Sequence, residues 1–166
     1  IALQAGEADF IMEVEAADIN RLAEDETIQV QKNDGTRLNF LAMNSEVAPF
    51  DNKLFRKAVS AAVDREAVVT VACDGEAAAA VGHTSPAFGG SSDGNAVKHD
   101  LEKAKEYLAQ SGINPDGVSF TCLVSNDTAR RTAEVIQANL AEIGVKMNIE
   151  SMDYATYLNA IMSGNY

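Results

Sequence analysis

The chain has 166 residues, enough for one globular domain with a core of its own. Its 25 acidic residues outweigh 13 basic ones, for a formal charge of −12, and the basic residues are scattered rather than clustered, which speaks against nucleic acid or another polyanion as a partner. Hydrophobic residues make up 46% of the chain, and the longest apolar runs, such as AAAAV at 77–81, are far too short to cross a bilayer.

Cys73 and Cys122 are too few for a disulfide framework and have no metal-binding spacing, so they read as small buried hydrophobes, with a single disulfide between them as the alternative. The opening IALQAGEADF looks like the middle of a helix and the closing SGNY follows another helix. Both ends read as cut ends of a larger protein.

In chain order, residues 1–5 read as a last helical turn closed by Gly6. ADFIMEV at 8–14 is expected to be a strand, and AADINRLAED to be a helix with Ile19, Leu22 and Ala23 on one face. IQVQK at 28–32 alternates like a strand, NDG at 33–35 like a tight reversal, and RLNFLAMN like the answering arm, an interior strand with Leu38, Phe40 and Ala42 on one side.

The stretch PFDNKLFRKAVSAAVDREAVV at 49–69 reads as a loop delivering two successive helices. Asp51 is the expected cap of the first, whose buried stripe is Leu54, Ala58, Ala61 and Ala62, and Asp64 the cap of the second. Arg56 and Arg65 are expected to tie helices to loops, and Asn44 to satisfy backbone groups. Residues 74–99 are Ala-, Gly- and Ser-rich without periodicity, a long loop of the kind that is often functional.

Asp100 and Gly112 bracket a helix with Leu101, Ala104 and Leu108 inward, NPDG at 114–117 turns the chain, and VSFTCLV is a strand. The next helix carries Ala129, Ala133, Ile136, Leu140 and Ile143 on one stripe. VKMNIESM then alternates as a strand, and Asp153 caps a last helix with Tyr154, Tyr157, Leu158 and Ile161. Strand–helix–strand order in this half predicts an α/β fold, a mixed sheet flanked by helices.

No catalytic chemistry is expected. His83 and His99 are the only histidines, neither has a partner in sequence, and there is no HExxH, GxSxG or phosphate-loop pattern. The carboxylate pairs read as solvated surface. No cofactor and no metal site are predicted.

Asn44, Pro49, Phe50, Asp51, Arg56, Ala58, Ala62, Asp64 and Arg65, together with LEKAKEYLAQSGINPDG and AEVIQANLAEIGVKMNIESMDYATYL, stand in an order that resembles the extracellular solute-binding proteins of family 5. These are the dipeptide, oligopeptide and nickel receptors of bacterial ABC importers. The resemblance implies a periplasmic-binding-protein type II-like lobe: residues 1–166 as one domain, a truncated second lobe of a two-lobed, extracytoplasmic, non-catalytic receptor, periplasmic or lipid-anchored. It further implies a peptide or other small solute as ligand, with the first lobe of the same chain and a membrane permease as partners. The alternative within the same fold is the ligand-sensing domain of a transcriptional regulator.

On the same resemblance, Ser85, Pro86 and Phe88 would belong to a ligand-facing loop. Ser125, Asn126 and Asp127 would face the ligand where a strand's carboxyl end feeds a helix. Free backbone N–H groups at such a helix start suit a ligand carboxylate, although Asp127 or Ser125 could equally serve only as the cap.

Overall fold

Ala133, Ile136 and Leu140 return to one side of a helix every three or four residues, and all are buried, as is Ile143 in the turn just past the helix end. That helix, α5 of the computed structural model, spans Asp127–Ala141 and lies against two parallel strands, β1 at Ser119–Val124 and β2 at Lys146–Ser151. The structure describes residues 1–85, 87–88 and 97–166.

Residues pair across the strands from Ser119 with Lys146 to Val124 with Ser151. Val124, Val145 and Met147 turn into the core with Phe120, Cys122 and Ile149 half-buried beside them, the alternation expected of strands covered on one face. Gln137 Nε2 donates to the Met147 carbonyl at 2.7 Å, tying α5 to β2.

The rest of the fold is helical: α1 at Ala16–Ala23, α2 at Lys53–Ala62, α3 at Arg65–Ala72, α4 at Leu101–Ser111 and α6 at Tyr154–Met162, with a short 3-10 turn at Pro115–Gly117. Helices α2 and α4 meet through Ala58, Ala61, Ala62 and Ala104, all fully buried, so the small side chains let the two backbones approach closely. Gly112 ends α4 with φ of 72°, a left-handed turn that costs glycine least. The start of α3 is fastened to α5, since the Asp64 amide donates to Asn139 Oδ1 at 3.0 Å.

The α/β class stands, with two corrections. The segments 8–14, 28–32 and 37–44 form no strands, and no hairpin closes at 33–35. No backbone hydrogen bond pairs them with another strand among the described residues, and alternation alone cannot make a strand lacking a second strand to pair with. Phe40, expected to face inward, is 80% exposed, and Phe10 and Met12 are each 77% exposed.

The second correction concerns the cap of α2. Asn52, not Asp51, takes the amides of Leu54 and Phe55 on its Oδ1 at 2.9 and 3.3 Å. Its Nδ2 reaches across to the Ser111 carbonyl at the end of α4, 3.1 Å away. Asn52→Ala is therefore expected to cost about 1–2 kcal/mol, and Asp51→Ala to stay within about 0.5 kcal/mol, in urea unfolding.

The other polar residues of this stretch act as the sequence suggests. Arg56 donates to the carbonyls of Phe50 and Asp51 at 2.5 and 3.2 Å, and Arg65 to that of Val97 at 2.6 Å. Asn44 accepts from the Glu46 amide at 3.1 Å and donates to the Gly164 carbonyl at 3.2 Å. Both cysteines are free and half-buried, and burial raises both thiols above their ordinary range.

Candidate functional site

Parallel strands bring their carboxyl ends to one edge. Val124 and Ser151 are opposite each other there, and the Met152 amide donates to the Val124 carbonyl at 3.0 Å, extending the pairing past the strands. From this edge both α5 and α6 set out. Asn126 caps α5 by accepting from the Ala129 amide at 2.8 Å, and Asp153 caps α6 by accepting from the Thr156 amide at 3.0 Å.

Within the Ser125–Asn126–Asp127 group the cap is thus Asn126 rather than Ser125 or Asp127. The Asp127 carboxylate pairs with Arg130 at 2.7 Å, and Arg130 also reaches Glu134 one turn on. The amides of Asp127 and Thr128 take no partner among the described residues, so the helix start keeps free N–H groups at the edge. The next residue, Arg131, turns away from it. Its guanidinium forks onto Asp74 at 2.8 and 2.9 Å and also reaches the Val71 carbonyl, clamping the end of α3 to α5, and this bond holds the Asp74 carboxyl below its usual range.

The second predicted group lies in the loop before α4. Ser85 is 7% exposed, and its hydroxyl donates to the Gly35 carbonyl at 2.7 Å and accepts from the Ala87 amide at 3.2 Å. Phe88 is 53% exposed, and its amide donates to the Ser85 carbonyl at 3.0 Å. Pro86 lies outside the described residues. Among those residues, no hydrogen bond joins this group to Ser125–Asp127.

Neither group lines either of two surface grooves formed by the described residues. One, about 410 Å³, lies at the opposite, amino-terminal edge of the strands between Pro115–Ser119 and Lys146. The other, about 520 Å³, runs between Met43–Glu46 and the end of α6. Among the described candidates Asn126, Asp127 and Phe88 are exposed and Ser85 is buried, and none of them lines either groove.

One residue at the carboxyl edge escapes the sequence reading. Tyr154 begins α6 directly after the Asp153 cap and is 66% exposed, although in sequence it belongs to an apolar helical stripe. That stripe has no buried member: Leu158 is 43% exposed, and Tyr157 and Ile161 are half-buried. The available signal was position, an aromatic at the first turn after a strand's carboxyl end.

Metal chemistry finds no foothold among the described residues, where no group of three or more His, Cys, Asp or Glu side chains converges. His99 is occupied structurally, its Nδ1 lying 3.0 Å from the Ala62 carbonyl at the end of α2, and His83 is exposed.

The α6 cap makes the edge acid-sensitive. Bonds from the Thr156 hydroxyl, then the Thr156 amide, hold the Asp153 carboxyl below its usual range. A carboxyl depressed in the folded state stabilises fully above its unfolded pKa, about 3.9, and loses that contribution as pH falls through the lowered folded value. Melting temperature measured from pH 6 down to 2.5 is expected to fall below about pH 4, and less steeply in Asp153→Asn.

Comparison with known proteins places these features. The family described as "Bacterial extracellular solute-binding proteins, family 5 Middle" matches residues 1–166. Heme-binding protein A of Haemophilus influenzae is 32% identical over 169 residues, covering 98% of this chain and 31% of that protein. The glutathione-binding protein GsiB of Salmonella typhimurium is 33% identical over 153 residues, covering 91% of this chain and 30% of its own length. The ABC transporter-associated periplasmic binding protein DppA of Helicobacter pylori, solved in complex with the peptide STSA, superposes with a TM-score of 0.90 at 29% identity, over 99% of this chain and 32% of that one. The chain thus spans about a third of the length of these relatives.

Proposed function

The chain belongs to the bacterial extracellular solute-binding proteins of family 5, and from that premise we propose that it is part of one lobe of a receptor that captures a peptide or peptide-like solute. Capture is non-covalent and takes place outside the cytoplasm, and the solute is delivered to an ABC permease in the membrane. The observation that carries this reading is the 0.90 TM-score superposition, over 99% of the chain, on a periplasmic binding protein holding a peptide.

In this reading the carboxyl edge of β1 and β2 faces the solute. The free amides at the start of α5 suit a carboxylate, such as a peptide's terminus, and Asn126 and Asp127 sit where polar groups of the solute would arrive. Tyr154 and Phe88 supply exposed aromatic surface, the residue type that gives large contact area at little conformational cost. Asn126, Asp127, Phe88 and Tyr154 are exposed, and in this reading a second lobe closes over them to exclude water and complete the site.

The reading is tested by calorimetric titration of the intact protein and of the isolated 166 residues with the peptide Ser-Thr-Ser-Ala, reduced glutathione and hemin. The intact protein is expected to bind at least one of them and the isolated chain none measurably. Tight binding by the isolated chain would overturn the two-lobe account, and silence of the intact protein toward both the peptide and glutathione would remove the peptide-like solute class.

A further inference from the structure

We infer that Ser85 is a positioning residue of the binding surface: without touching solute, it fixes Ala87 and Phe88 against the stretch around Gly35. The inference rests on the reading of this chain as part of a solute-binding lobe.

A hydroxyl has one proton and two acceptor lone pairs. In Ser85 the proton is held by the Gly35 carbonyl at 2.7 Å, and the oxygen already accepts the Ala87 amide at 3.2 Å. With the residue 7% exposed, little of that oxygen can reach a solute. The groups turned outward are its neighbours: Ala87 is exposed, and Phe88, whose amide returns to the Ser85 carbonyl at 3.0 Å, is 53% exposed.

The tie matters because of what is missing around it. Residues 28–43 form no ladder, and no backbone hydrogen bond joins them to residues 76–88 among the described residues. Two side-chain links connect these stretches instead: Ser85 to Gly35, and Lys32 to Glu76, an ion pair at 2.7 Å whose carboxylate is 20% exposed. The ion pair lies nine positions before Ser85 in the chain, so among the described residues the hydroxyl is the link nearer to Phe88. Where a ladder would hold the register through many bonds, here the Ser85 hydroxyl is the described link that joins the Ala87–Phe88 turn to the stretch around Gly35.

The test reads two quantities in the intact protein: amide exchange at Ala87 and Phe88 without ligand, and affinity for Ser-Thr-Ser-Ala and reduced glutathione. Ser85→Ala is expected to speed Ala87 exchange about tenfold and to weaken binding of whichever probe the wild type takes by about tenfold, the effect of losing one or two hydrogen bonds. Ser85→Thr, which keeps the hydroxyl, is expected to restore both to within about twofold.

Unchanged exchange in Ser85→Ala overturns the inference, and if affinity falls all the same, Ser85 is a direct contact. Faster exchange with unchanged affinity for a probe the wild type binds overturns it equally. Should neither probe bind the wild type, the proposed solute class fails while exchange still decides whether the tie exists. If Ser85→Ala does not fold, Ser85→Cys, which keeps the volume with a much weaker donor, is read in the same way.

Discussion

Phe55→Ala is expected to destabilise the protein by about 4 kcal/mol, within the usual range of about 3–5 for a fully buried aromatic. Phe55 has no exposed surface and stands in a cluster of three rings: Phe50 at 5.6 Å and Phe120 at 6.4 Å, both edge-on, with Phe50 and Phe120 themselves 4.8 Å apart. The cluster joins the loop before α2, α2 itself and β1. Removing the fully buried ring of the three therefore opens a cavity where these elements meet. Against a total stability of roughly 5–15 kcal/mol for a domain, this loss removes from about a quarter to most of it. Urea unfolding checks it, and a cost below about 1.5 kcal/mol would mean that this junction is not the packed centre described.

The largest effect on function is expected at Tyr154. In the intact protein Tyr154→Ala should weaken solute binding by about 2 kcal/mol, roughly 30-fold, while moving the stability of the solute-free protein by less than about 0.5 kcal/mol. The expectation comes from position: an aromatic 66% exposed, on the first turn of α6, at the edge where the amides of Asp127 and Thr128 are free. An aromatic left uncovered by its own lobe and covered when a second lobe closes over solute contributes to binding and little to folding. Unchanged affinity in Tyr154→Ala would move the solute away from the carboxyl edge.

Elements whose signals are local were legible. Asp100 and Gly112 bracket α4 as the sequence predicts, and the apolar stripe of α5 and the alternation of β1 and β2 match the buried faces. Where the deciding contact is distant in sequence, the reading slipped. Asp51 and Asn52 are both competent caps one position apart, and the bond from Asn52 to Ser111 crosses to another helix. Phe10, Met12 and Phe40 alternate like strand residues, but a strand exists only with a paired neighbour.

The candidate site follows the same rule. Asn126 at a helix start could be anticipated from the strand before it, whereas the burial of Ser85 depends on Gly35, fifty positions away. The stretch from Pro49 to Val69 identifies the family because its residues serve packing: Phe50 and Phe55 in the aromatic cluster, Ala58, Ala61 and Ala62 against α4, and Arg56 and Arg65 on loop carbonyls. Such residues report which fold is built and carry no imprint of the solute.

The most direct measurement is native mass spectrometry of the intact protein after mild purification, followed by denaturation and identification of what is released. Capture of a peptide-like solute predicts a protein carrying small-molecule mass, freed on unfolding and shown by fragmentation to contain amide-linked residues. A protein that emerges without bound solute and whose melting temperature does not move with peptides, glutathione or hemin would contradict the account.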